Sequence, residues 1–343
     1  MVELFLTGGT GYIGGDALYT VINAHPEYEI TALARSPERG EILTKRYPSL
    51  RLVYGDLEDS ALLAEESAKA DIICHLSNCE HVASAQAIAD GARQASPNKQ
   101  ATTVIHLSGS DLLVFENLDN ETYGVTSDKV FDDWEGLQEI ISIKDTAPHK
   151  EVDAVVLELG TDASNSTAKT AIVCPPTIYG RGRGPGNQRS IQVPELAAHI
   201  LKRGSGFQVE GGKNRWATVH IHDLSQLFLN LVEDAASGRW KATWGSEGFY
   251  FAENGTISYG DVASWITTEA WNQGFLKSTD VESVVWKDAD KIWDYASLFW
   301  GTNSLTKAVR ARQVLDWVPR GPSVADEIRG LVTEEAKALG VKK

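Results

Sequence analysis

In the stretch APHKEVDAVVLELG, residues 147 to 160, His149 and Asp153 stand four positions apart. On a helix they share one face, so the carboxylate can orient the imidazole or stabilise its protonated form. An imidazole titrates near neutral pH without help, and such a pair suits proton transfer in ketone reduction, dehydration or isomerisation. A plainer reading also stands: Pro148 opens a helix whose charged, exposed first turn carries His149 without catalytic duty. A second group of residues suits phosphate. LFLTGGTGYIGGDAL sets Gly8, Gly11 and Gly14 after an apolar run and at the start of a helical pattern. The first glycine permits a tight turn, the second lets backbone N–H groups approach a pyrophosphate, and the third lets helix and sheet pack closely.

The segment ALARSPERG selects the dinucleotide. Arg35 can pair with a 2′-phosphate as a planar fork and Ser36 adds a hydroxyl donor, so NADP(H) is preferred and NAD(H) stays possible. Asp56, in YGDLED, can accept from an adenine amino group or simply cap a helix. No metal site is expected. Cys74, His75, Cys79 and His81 crowd together in sequence, but the cluster begins inside an apolar strand whose alternate residues face opposite sides. The three cysteines, Cys74, Cys79 and Cys174, have no framework spacing and fit reduced thiols.

Positioning these groups requires an α/β fold. Apolar runs at VELFLTG, YEITALA, LRLVYGD, ADIICHLS, TVIHLSG and KTAIVCPP alternate with helical stretches, the pattern of consecutive βαβ units and a doubly wound parallel sheet of Rossmann type. After Pro176 the texture changes to GRGRGPGNQ and an amphipathic helix, VPELAAHILKRG, ending at Gly204. ATVHIHDLSQLFLNLVEDA returns to the core as a strand and a helix with Asp223 as N-cap, and the rest is helical and Trp-rich. The expected division is a dinucleotide-binding core over residues 1–176, continued by about 217–254, and a smaller, mostly helical substrate lobe from 177–216 and 255–343.

With 42% hydrophobic and 23% charged residues, the 343-residue chain has the composition of an ordinary globular protein. Its net charge of −15 and lack of a basic stripe argue against nucleic acid. No apolar run is long enough to span a bilayer and no secretory pattern follows Met1, so no membrane and a cytoplasmic location are expected. A homodimer is possible.

The combination TGGTGYIG, ARSPERG, YGDLED, ICHLS, VIHLSGS, PPTIYGRG and VHIHDLSQL resembles the extended short-chain dehydrogenase/reductase superfamily. It most resembles the atypical members described as nucleoside-diphosphate-sugar epimerase-like. The match runs in order along nearly the whole chain, including GTNSLTKAVRARQVLDWVP with its Trp-x-Pro ending. The resemblance implies cofactor contacts from Thr10, Tyr12 and Ile13, from Leu57 beside Asp56, from Leu76 and Ser77, and from Pro175 and Thr177. It also implies substrate contacts from the loop after PPTIYG, where Tyr179, Asn187, Arg189 and Gln192 are the candidates.

That family's chemistry uses a Ser or Thr after the fifth strand and a Tyr-x-x-x-Lys on the next helix. Ser108 or Ser110 matches the first and can hold a substrate oxygen. The dyad is missing: family spacing puts His149 at the tyrosine position and Asp153 at the lysine position. Tyr123, in the insertion-like ETYGVTSDKVFDDWEG with Lys129, is a further candidate acid. The leading expectation is an NADP(H)-binding, atypical reductase or epimerase-like enzyme of small organic carbonyl or hydroxyl compounds, with a secondary-metabolic role possible. The alternatives are a redox-neutral isomerase, lyase or cyclase, and a non-catalytic NADP(H)-sensing regulator.

Overall fold

The computed structural model describes residues 1–94, 102–162 and 168–342. Each apolar run named above forms a strand: β1 (Glu3–Thr7), β2 (Glu29–Ala34), β3 (Arg51–Tyr54), β4 (Ile72–His75), β5 (Thr102–Leu107) and β6 (Ala168–Cys174). A seventh, β7 (Phe249–Phe251), was not expected, because three residues carry too little periodicity to be read. All pairings are parallel, in the order β7-β6-β5-β4-β1-β2-β3. The order reverses between β1 and β4, where a crevice opens at the carboxyl ends of the strands.

Helices cover both faces. On one side α1 (Tyr12–Ala24) packs against α7 (Ile221–Ser237); on the other α3 (Ser60–Lys69) packs on α4 (Val82–Arg93), which packs on α5 (Lys150–Thr161). α2 (Pro37–Arg46) lies beside β2 and β3. Alternate strand residues divide accordingly: Leu4, Leu6, Ile72, Cys74 and Ile105 join one apolar cluster, and Phe5, Ile73 and Val104 the other. The second of these faces turns polar at its carboxyl edge. There Thr7 pairs with His75 and His75 with His106 across adjacent strands.

A separate apolar cluster joins α6 (Gln192–Arg203), α8 (Tyr259–Asn272) and α9 (Val324–Leu339) around the buried Trp216 and Trp300. Tyr123 belongs to this cluster, while Trp317, from the C-terminal region, is buried in the first sheet-face cluster. α6 ends at Gly204 with φ +75°, as a glycine C-cap should. Asp223 is not the N-cap of α7: His220 takes that place, and the Asp223 carboxylate accepts N–H bonds from Arg320 and Gly321, each at 2.8 Å. Among the described residues no helix is long and apolar enough to cross a membrane.

Candidate active site

The crevice is a cleft of about 770 Å³. Its floor is the glycine loop between β1 and α1. Gly8 has φ +81°, and a Cβ there would lie 2.4 Å from the Leu76 carbonyl oxygen; a Cβ on Gly14 would lie 2.4 Å from the Gly8 oxygen. Backbone therefore passes against backbone where no side chain fits. Gly11 caps α1 without a side-chain bond, leaving the first helical N–H groups for an anion.

Gly8, Thr10, Gly11, Tyr12, Ile13, Arg35, Asp56, Leu57, Leu76 and Ser77 all line the cleft. Four expected contacts do not. Gly14 is the packing position under the loop. The Ser36 hydroxyl is engaged as N-cap of α2, accepting from the Arg39 N–H at 3.4 Å. The Pro175 carbonyl accepts from the Ser110 N–H, and the fully buried Thr177 hydroxyl lies 3.2 Å from the Tyr259 hydroxyl, toward the other core. Arg39, one turn beyond Arg35, also lines the cleft. Its place in RSPERG was the available signal.

At the β4 end the cleft is bordered by Ser77, Asn78, Cys79 and Leu107. Next to Cys79 lies His149, 7% exposed. Its Nε2 is 2.6 Å from Asp111 Oδ1, its Nδ1 is in contact with Glu80 Oε1, and its backbone N–H donates to Glu80 at 3.0 Å. Burial alone would lower its pKa, but the bond to Asp111 and the close approach of Cys79 and Glu80 reverse this and raise it far above the ordinary value. The same contact holds the Glu80 carboxyl below its usual range.

Asp153 does not partner it. His149 is the N-cap of α5 and has left-handed backbone, φ +64°, so it leaves the line of the helix and the four-residue spacing no longer brings the side chains together. The exposed-first-turn reading fails as well, because His149 is buried. Asp153 Oδ2 instead accepts from the Ser108 hydroxyl at 2.8 Å. Burial pushes its pKa up to about 7, against that bond and the charge of His149. Asp153 Oδ1 faces His106 Nε2 at 3.7 Å, and burial drives His106 well down. His75, held by Thr7 at 2.9 Å and near Ser77 and Ser84, is pushed down to about 4 by burial.

Neither candidate serine opens on the cleft. Ser108 faces Asp153, and the buried Ser110 hydroxyl meets Ser304 Oγ at 2.8 Å, anchoring the C-terminal segment. Tyr123 is also displaced: its ring packs 4.8 Å from Trp286 and burial raises its phenol pKa. Lys129 is bonded to Glu116 at 2.8 Å.

The loop after residue 179 straps across the glycine loop. Tyr12 donates to the Gly180 oxygen at 2.6 Å, the Asn187 N–H to the Thr10 oxygen at 3.0 Å, and Arg183 forks onto the fully buried Asp16. Burial would raise the Asp16 pKa, but Arg183 overcomes it and holds the carboxyl low. Asn187 and Arg189 line the cleft and also a second cavity, of about 430 Å³, against α9. Arg189 is held there by Glu335 at 2.7 Å and Glu195 at 2.5 Å. Tyr179 borders only the second cavity, donating to the Pro322 oxygen, and Gln192 heads α6 away from both.

A model of the NAD dependent epimerase/dehydratase family matches residues 4–243. The chain is 37% identical over 347 residues to the oxidase ucsJ of Acremonium sp., covering 99% of each. Its fold is similar to UDP-glucose 4-epimerase from Thermotoga maritima, with TM-score 0.67 at 12% identity over 98% of this chain and 100% of that one. It is likewise similar to the dTDP-glucose 4,6-dehydratase DesIV from Streptomyces venezuelae, with TM-score 0.68 at 16% identity over 98% and 97%.

Proposed function

The chain belongs to the NAD dependent epimerase/dehydratase family, and from that premise we propose that it is an NADP(H)-dependent oxidoreductase of a small carbonyl or hydroxyl compound in secondary metabolism. The observation that carries this reading is the make-up of the cleft. Two guanidinium groups, Arg35 and Arg39, stand in one cleft with the glycine loop, and the Cys79–His149 cluster stands at its β4 end. Paired guanidinium groups suit a 2′-phosphate. The relative named as an oxidase, alike over its whole length, supports redox chemistry.

Held by the glycine loop, Arg35 and Arg39, NADPH would supply hydride to a carbonyl carbon, with a proton drawn from water through the site completing the alcohol. His149 stands in for the missing dyad as the titratable group at the β4 end of the cleft: a ring proton, held toward Asp111 and Glu80, would pass to the substrate oxygen and be regained from water. Ser108 and Asp153 are bonded to each other and are not among the residues lining the cleft.

The test is a titration with NADPH and NADH, following nicotinamide fluorescence excited through tryptophan. NADPH is expected to bind more tightly, and Arg35→Glu combined with Arg39→Glu to weaken NADPH by about 10²-fold with NADH little changed. Equal binding of both cofactors by the unaltered protein removes the NADP(H) assignment. Turnover without consumption of NADPH points to redox-neutral isomerisation instead.

A further inference from the structure

We infer that Cys79, Glu80 and His149 are the ligands of a divalent metal ion of the zinc class, bound at the β4 end of the cleft with one coordination position open to it. One ligand atom from each, a thiol sulfur, a carboxylate oxygen and an imidazole nitrogen, lie within 4.8 Å of one another. Zinc–ligand bonds of about 2.0–2.3 Å let a single ion reach all three after small side-chain adjustments. The Glu80 side chain is more than half exposed, and its Oε1 already lies against His149, so it has room to adjust.

The second observation is the orientation of His149. Its Nε2 is committed to Asp111 at 2.6 Å, which leaves Nδ1 to face Glu80 and Cys79. A carboxylate on the far nitrogen of a metal-binding histidine is the usual way such a ring is held. Nδ1 is buried and, although Glu80 Oε1 lies against it, has no hydrogen bond of acceptable geometry among the described residues. An imidazole nitrogen against a carboxylate demands a positive charge between them: a proton in the metal-free protein, which a bound metal ion would replace. The strained left-handed backbone of His149 aims the ring there, and the Glu80 carboxylate that accepts its N–H locks the two ligands together.

Chemistry and access narrow the ion. A sulfur, nitrogen and oxygen donor set favours zinc over magnesium or calcium. Cys79 borders the cleft, so a fourth ligand can arrive from it, as in catalytic rather than structural zinc sites. The other residues of the same sequence stretch stay out: Cys74 is buried in the core, His75 bonds Thr7, and His81 caps α4 and reaches Glu58 at 2.9 Å. Metal binding itself does not depend on the proposed reaction. Its use as a Lewis acid on the substrate oxygen rests on the oxidoreductase reading.

The test uses the full chain, stripped with a chelator and titrated with Co²⁺ and then Zn²⁺. About one equivalent of Co²⁺ is expected to give a near-ultraviolet thiolate-to-cobalt absorption that Zn²⁺ displaces. Cys79→Ser should abolish this absorption, and Asp111→Asn should weaken affinity by about 10–100-fold while keeping the stoichiometry. A folded unaltered protein that binds no metal, or an absorption unchanged in Cys79→Ser, overturns the proposal. NADPH titrations on the same samples separate the two readings: metal binding without NADPH binding sinks the cofactor assignment alone, and the reverse sinks the metal site alone.

Discussion

His149 and His106 stand close enough for the charge of one to depress the pKa of the other, yet they end in opposite states. His149 sits at the edge of the cleft between Asp111 and Glu80 and is driven to the cation. His106 lies deeper on the β5 face, 1% exposed, with neither ring nitrogen hydrogen-bonded among the described residues, and is driven neutral. Burial penalises charge at both sites; His149 has two carboxylates against its ring, while Asp153, 3.7 Å from His106, is itself pushed toward its neutral form by burial. Two histidines on one edge of the sheet thus differ through their partners and not through their burial.

The sharpest test removes one histidine at a time. His149→Ala should lower turnover by about 10²-fold, the scale of losing a positioned proton-transfer group, while His106→Leu leaves it within about twofold. Comparable losses in both would erase the distinction. Next comes pH. Folded Asp153 titrates near 7 instead of 3.8, so between those values the folded state holds a proton that the unfolded state has released. Its contribution to stability is then greatest below about pH 3.8, falls as pH rises to about 7, and is flat above. Chemical denaturation across that window should show a decline of a few kcal/mol that Asp153→Asn lacks; parallel profiles would place an ionised carboxylate in the core. The smallest effect is that of His106→Leu on stability, expected to be neutral or to gain about 1 kcal/mol, because unbonded polar atoms leave the interior. A loss of several kcal/mol by calorimetry would mean that His106 makes a bond of its own.

Six strands were legible because each is a bounded apolar run, and the glycine loop because its spacing follows from backbone crowding at Gly8 and Gly14. The candidate chemistry was not. Residue spacing assumes regular helix, and His149 breaks that assumption at its own φ. Its true partners come from elsewhere: 69 positions separate Glu80 from His149 and 38 separate Asp111 from it. No periodicity reports such contacts. Ser108 and Ser110 illustrate the converse, since a hydroxyl at the expected position can face inward once Asp153 or Ser304 offers it a partner.

The strap bears on the order in which this chain acquires its shape. Asp16 and Arg183 are 167 residues apart, and the carboxylate is fully buried in the finished protein. During synthesis the first helix leaves the ribosome long before its arginine exists, and burying an unpaired carboxylate is strongly unfavourable. The Asp16 carboxylate therefore stays open to water until more than half of the chain has been made and the strap closes over it, so the phosphate loop is completed late although it is encoded first.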